Sequence, residues 1–132
     1  MFNKIGAVVL FVQDFEKCLT FYRDLLGLPV VLLEPNFAAF KMNEQNFAIN
    51  HIEPSADMVN LQVDAFAPMT GKTARAMLCA EVENVDAAYE DLVQKGVQFT
   101  GPPVDQDWGI RAAYFQDPEG NLWEILHPLA AE

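Results

Sequence analysis

One secondary-structure pattern is written twice along this chain of 132 residues, and that repeat constrains its fold more than any other feature. Apolar Ile5–Val12 reads as a buried strand. Asp14 is placed to cap a helix whose apolar face is Phe15, Leu19, Tyr22, Leu25 and Leu26, and Gly27 stops it. Val30–Leu33 is extended, Pro35-Asn36 turns, and Phe37–Met42 with Gln45–Ile49 forms a hairpin around Asn43-Glu44. The order then recurs. Met77–Val82 is a strand, Asn84 a cap, and Val85, Ala88, Tyr89, Leu92 and Val93 a helix face ended by Gly96. Val97–Thr100 is a short strand, broken by Gly101-Pro102-Pro103. Ile110–Phe115 and Leu122–Leu126 are strands joined by the turn Asp117-Pro118-Glu119-Gly120. The two caps lie 70 positions apart. Two copies of one supersecondary unit predict a pseudo-twofold α+β domain over residues 1–132. Module one covers about 4–52, a connector about 53–73, and module two about 74–128. The connector holds Pro54, Pro68 and Gly71, yet also Met58, Leu61, Val63 and Phe66. That apolar content predicts a strand, or packing on a partner chain, because flexible linkers are more polar.

Composition narrows the function classes. Lys and Arg total 8 against 19 Asp and Glu, a formal charge of −11. Residues 1–66 carry −4 and residues 67–132 carry −7, so the charge is not confined to a tail. Nucleic-acid affinity comes largely from cations that neutralise phosphates. An acidic surface therefore excludes nucleic acid and anionic membranes as partners and favours cationic small molecules. The apolar run Ala7–Val12 is far shorter than the roughly 20 residues of a bilayer span. Met1-Phe2-Asn3-Lys4 does not open a signal peptide. These features predict a cytoplasmic protein. Cys18 and Cys79 fit no zinc spacing and read as reduced, buried thiols. His51 and His127 are the only histidines.

Three segments carry a resemblance. The first is Val12-Gln13-Asp14-Phe15-Glu16-Lys17 leading to Phe21-Tyr22-Arg23-Asp24-Leu25-Leu26-Gly27-Leu28. The second is Glu81-Val82-Glu83-Asn84-Val85-Asp86-Ala87-Ala88-Tyr89, running on to Lys95-Gly96-Val97. The third is Trp108-Gly109-Ile110-Arg111, then Phe115-Gln116-Asp117-Pro118-Glu119-Gly120-Asn121-Leu122-Trp123-Glu124-Ile125. In this order the chain resembles the vicinal oxygen chelate superfamily, which groups glyoxalases, bleomycin-resistance proteins and extradiol dioxygenases. The resemblance implies two tandem βαβββ modules forming cupped, half-barrel-like mixed sheets, and a homodimer. It also implies four metal-ligand positions, two from each module. The first falls on Ala7, whose methyl group binds no metal. The second lies within Gln45–Asn50, at Ala48 or Asn50. The third falls on Met77, a soft thioether unsuited to hard or borderline metals. The fourth, Glu124, keeps a donor, and one carboxylate does not make a divalent site. No metal and no cofactor are expected. His51 with Glu124 is the one pairing that a displaced metal site would use.

Strand alternation places Leu122, Glu124 and Leu126 on one face and Trp123 and Ile125 on the other. The ligand analogy turns the Glu124 face into the cup, with Ile5, Ala7, Val9 and Phe11 from the first strand and Met77, Cys79 and Glu81 from the second module. A buried carboxylate must be paired, hydrogen-bonded or protonated. Glu124 therefore either anchors a cationic or hydroxyl-bearing ligand or is held internally by Arg111, a backbone donor or water. Trp108 is placed to stack on a planar ligand, and Arg111 to fork onto a carboxylate or to pair internally. Tyr114, Phe37, Phe40 and Phe47 are candidate walls, whereas Phe21, Tyr22 and Tyr89 read as core. The predicted ligand contacts are Glu124, Trp108, Arg111, Met77, Ala7, Phe47 and Tyr114. No dinucleotide, hydrolase or metalloprotease motif is present, and Gly71-Lys72-Thr73 lacks the rest of a phosphate loop. The leading function is metal-independent binding of a small, partly apolar molecule. The alternatives are a lyase, isomerase or dioxygenase-like enzyme with Glu124 as the catalytic group, and a non-catalytic partner-binding domain.

Overall fold

The computed structural model describes residues 1–66 and 76–130. The chain divides into two compact units, Met1–Pro68 and Met69–Glu132. Each unit holds one open, mixed four-stranded sheet with helices, so the α+β expectation and the repeat both hold.

In the first unit the strands are β1 (Ala7–Val12), β2 (Val30–Glu34), β3 (Phe37–Met42) and β4 (Gln45–His51). They are ordered β1-β4-β3-β2, with β1 parallel to β4 and the others antiparallel. Asp14 caps α1 (Phe15–Leu19) by accepting the Lys17 backbone N–H at 3.1 Å. After Leu19 the helix widens into a π-helical turn, Thr20–Leu25, where an uninterrupted α-helix was expected. The wider turn lets sequence neighbours Phe21 and Tyr22 both bury, and Gly27 ends it at φ 72°. Tyr22 then packs on Phe40 and Phe47, with ring centroids 5.9 and 5.2 Å away. This aromatic cluster, with Phe15, Leu19 and Ile49, is the core of the unit.

The start of the connector corrects the strand expectation. It forms α2 (Ile52–Val59) and then a 3-10 turn at Val63–Phe66. His51 caps α2 by accepting the Glu53 N–H on Nδ1. Pro54 sits in the first turn, where its missing N–H costs nothing. Asn60, at φ 62°, closes the helix. Pro68, Gly71 and the Gly71-Lys72-Thr73 segment lie outside the described residues.

In the second unit the strands are β5 (Met77–Glu81), β6 (Val104–Gln106), β7 (Ile110–Gln116) and β8 (Leu122–Pro128), ordered β5-β8-β7-β6. Asn84 caps α3 (Val85–Gln94) through the Ala87 N–H, as expected. Its core is Val85, Leu92, Val97, Phe115, Trp123 and Ile125, with Tyr89 half-buried against Phe99. The expected strand Val97–Thr100 is reduced to one bridge, Phe99 to Phe115, and the ordered edge strand is β6 instead. Pro102 and Pro103 carry no N–H for a ladder, so pairing along β7 stops and resumes after them. Asp117 fixes the last turn by accepting the Glu119 and Asn121 backbone N–H groups and the Asn121 side-chain amide.

Candidate functional site

Register decides which side chains share a face. In the second sheet Glu124 lies directly between Cys79 on β5 and Tyr114 on β7. Directly opposed residues project to the same side of a sheet, so these three form one row. Gln106 on β6 extends it: its Nε2 donates to the Tyr114 hydroxyl at 3.1 Å. A polar row thus crosses all four strands, Gln106, Tyr114, Glu124, Cys79.

Glu124 is buried, at 5% exposure. Partial desolvation at the sheet surface pushes the Cys79 thiol up from its ordinary value, and a hydrogen bond and charge repulsion from Glu124 push it further. Burial and the hydrogen bond to Glu124 likewise raise the Tyr114 hydroxyl, against a smaller opposing pull from Gln106. Both neighbours are therefore neutral donors to the carboxylate at physiological pH. The cations of this unit that the structure describes are engaged elsewhere. Arg111 forks onto Asp86 of α3, with Nε and Nη2 both at 2.8 Å, and reaches Asp105 at 2.8 Å through Nη1. That fork holds the Asp86 carboxyl below its usual range and raises Arg111. Lys95 pairs with Asp91.

The predicted site residues separate accordingly. Glu124 and Tyr114 are brought together. Met77 is on β5 two residues from Cys79, on the same face and exposed. Arg111 is three residues from Tyr114 on β7, an odd step that turns it to the opposite face, toward α3; it ties that helix to the sheet. Trp108 stands in the β6–β7 turn at 68% exposure. Phe47 and Phe40 are not walls but core, packed against Tyr22. The reason is parity: the open-face residues of β4 are Asn46, Ala48 and Asn50, and Phe47 points the other way. Ala7 is exposed at the start of β1. His51 and His127 are helix caps, the latter accepting the Val85 N–H on Nδ1 at 2.9 Å. Cys18 is buried as expected, but Cys79 is exposed, because β5 is an edge strand. Cys79 and Gln106 are the members of the row that sequence reasoning did not select. The signal for Cys79 was present, since it lies 70 positions after Val9 on a face already assigned to the cup.

The register also settles the second ligand position. Val9 opposes Ala48 as Cys79 opposes Glu124. The counterpart of Glu124 is therefore Ala48, which has no donor atom. Among the described residues no group of three or more His, Cys, Asp and Glu side chains is arranged to hold a metal ion. Alanine at two positions and a thioether at a third do not fit a divalent cation. A shallow depression in the first unit, lined by Asp14, Glu16, Asn36 and His51 among others, contains no member of the row.

A sequence model of the Glyoxalase/Bleomycin resistance protein/Dioxygenase superfamily matches residues 4–125. The chain belongs to that superfamily. YraH of Bacillus subtilis (strain 168) is 36% identical over 130 residues, covering 96% of this chain and 99% of that protein. The crystal structure of a glyoxalase/bleomycin resistance protein/dioxygenase from Nocardioides has a TM-score of 0.82 at 26% identity, covering 100% of this chain and 87% of that one. Lactoylglutathione lyase from Agrobacterium tumefaciens has a TM-score of 0.72 at 22% identity, covering 94% of this chain and 92% of that one, a likeness of fold. No helix among the described residues is long and apolar enough to cross a membrane.

Proposed function

We propose that this member of the superfamily binds a small cationic, partly aromatic molecule at Glu124, without a divalent metal, and works as a cytoplasmic homodimer. One observation carries the reading: a carboxylate at 5% exposure whose flanking partners, Cys79 and Tyr114, are neutral. A carboxylate offers about four lone-pair sites. Two neutral donors leave acceptor capacity and negative charge that an ammonium group complements. The Tyr114 ring and the exposed Trp108 supply aromatic surface for a cation or a planar group. The acidic surface raises the local concentration of such a ligand.

Glu124→Gln tests the assignment, because the amide keeps size and removes charge. Calorimetric titration with benzylammonium should show roughly a tenfold or greater loss of affinity, the about 1.5–3 kcal/mol of a charge-assisted contact. Benzyl alcohol, neutral and of similar shape, should bind both forms equally weakly. Equal benzylammonium affinity in the two forms would remove Glu124 from the site. Elemental analysis of the purified protein should find no stoichiometric Ni, Zn, Mn or Fe, and light scattering should give a dimer mass. A second reading, a lyase or isomerase with Glu124 as general base, draws support from the Tyr114 hydroxyl beside it, which would hydrogen-bond a developing oxyanion. Turnover of an α-hydroxycarbonyl substrate that Glu124→Gln abolishes would favour it.

A further inference from the structure

The first unit presents two aromatic rings on the open face of its sheet, and a third ring from its own chain is seated on one of them. Phe11, Asn50, Phe37 and Glu34 lie directly opposite one another across β1, β4, β3 and β2, so all four project to that face. Phe11 and Phe37 flank Asn50, whose amide both donates and accepts. The occupant is Phe66, from the turn Val63–Phe66 that follows α2. Its ring meets the exposed Phe11 edge to face, with centroids 4.9 Å apart at 86°. No residue of that turn is buried. Among the described residues its backbone bonds, from Leu61 N–H to the Ala56 carbonyl and from Ala65 N–H to the Gln62 carbonyl, stay within the segment. Asn60, at φ 62°, is the pivot where the segment leaves α2. The ring contact thus seats the turn on the sheet.

We propose that Phe11, Phe37 and Asn50 form a subsite for an uncharged planar aromatic group with a hydrogen-bonding substituent, and that Phe66 is a latch that occupies it until such a ligand displaces the ring. The subsite lies in the first unit and does not depend on the reading of Glu124. Phe66 itself shows the class of occupant: an aromatic ring packs edge-on against Phe11, and another ring meets the same charge distribution there. No charge stands between the two walls. The Phe66 ring offers nothing to the Asn50 amide, whereas an aromatic amide or phenol pairs with it. That bond is what a ligand gains over the latch. The subsite is competent only when Phe66 has left it, so the latched fraction lowers the apparent affinity.

Benzamide is the probe, followed by chemical-shift titration, and cyclohexanecarboxamide is the control with the same amide and no aromatic ring. In the parent, benzamide should shift the Asn50 amide saturably, and the Phe66 ring signals should lose the displacement that the neighbouring Phe11 ring imposes. Phe66→Ala should bind benzamide severalfold more tightly than the parent. Adding Phe11→Leu to Phe66→Ala keeps apolar bulk without the ring and should take that gain away. Val63→Ala alters the same turn at an exposed position outside the ring contact, so it should match the parent. Equal benzamide affinity in the parent and Phe66→Ala overturns the proposal. A gain of the same size in Val63→Ala overturns it too, because the effect would then be a general loosening of the turn. So does equal binding of cyclohexanecarboxamide, or saturable binding of benzamide to the parent that leaves the Phe66 ring signals in place.

Discussion

The same line of residues crosses both sheets, and its chemistry differs completely. In the first unit it reads Val9, Ala48, Ala39, Leu32 across β1, β4, β3 and β2. In the second it reads Cys79, Glu124 and Tyr114 across β5, β8 and β7, completed by Gln106 from β6. The backbone that presents the two rows is alike: a parallel pair, two antiparallel pairs, and a side-chain-capped helix following the first strand. The fold therefore tolerates either an apolar or a polar row. What the second unit adds is a pair of neutral hydrogen-bonding neighbours, Cys79 and Tyr114, for a buried carboxylate. The repeated scaffold is shared, and the distinctive chemistry has collected in one half of it.

The harshest way to break the comparison is to move the charge without its partners. Ala48→Glu places a carboxylate at the equivalent position of the first sheet, where the flanking residues are Val9 and Ala39. Ala48 is 6% exposed, and neither flanking side chain offers the new charge a donor. An uncompensated buried charge costs about 3–5 kcal/mol. Urea denaturation should show a loss of that size. A loss under about 1 kcal/mol, the scale of an ordinary surface change, would mean that the partners in the second row are not what makes Glu124 tolerable.

How much of this was legible beforehand follows from the same rows. Apolar patterning and the caps at Asp14 and Asn84 located seven of the eight strands among the described residues, α1 and α3, because those signals are local. α2 was misread because the apolar residues around Met58 and Leu61 announce burial but not period. Glu124 was found because it stands at the fourth ligand position that the resemblance implies. The walls were harder: Phe47 was read as lining the cup, but it is one residue from Ala48 and so points to the opposite face, into the core. Gln106 was invisible, since its bond to Tyr114 depends on how the β6–β7 hairpin folds and not on any spacing.

Tyr114→Phe sharpens the comparison at intermediate strength. It removes one neutral donor to Glu124 and leaves the Gln106 amide without its acceptor. A single hydrogen bond in a partly buried site contributes about 0.5–1.5 kcal/mol, and the loss should fall in that range by denaturant titration. Ala39→Ser at the equivalent place in the first sheet adds a hydroxyl where no acceptor waits, so it should not stabilise. A Tyr114→Phe variant as stable as the parent would show the row to be an accidental alignment.

The smallest expected effect is a dependence on alkaline pH that belongs to the polar row alone. Cys79 and Tyr114 both have raised folded values, from ordinary ones of 9.0 and 10.0. Between the ordinary and the raised values the unfolded chain has released these protons and the native one has not. The unfolded state then binds fewer protons, so stability must fall as pH rises. The contribution is fully present below pH 9, declines first through Cys79 and then through Tyr114, and is gone above their folded values. A series of denaturation curves from pH 8 upward should show that decline in the parent. In the Cys79→Ala, Tyr114→Phe double variant the slope should be shallower, because neither group remains to titrate. The lysines and the other two tyrosines, Tyr22 and Tyr89, are common to both proteins and cancel in the difference. If the double variant loses stability as steeply as the parent, Glu124 does not hold its neighbours in their neutral forms, and the contrast between the two rows reduces to polarity without coupling.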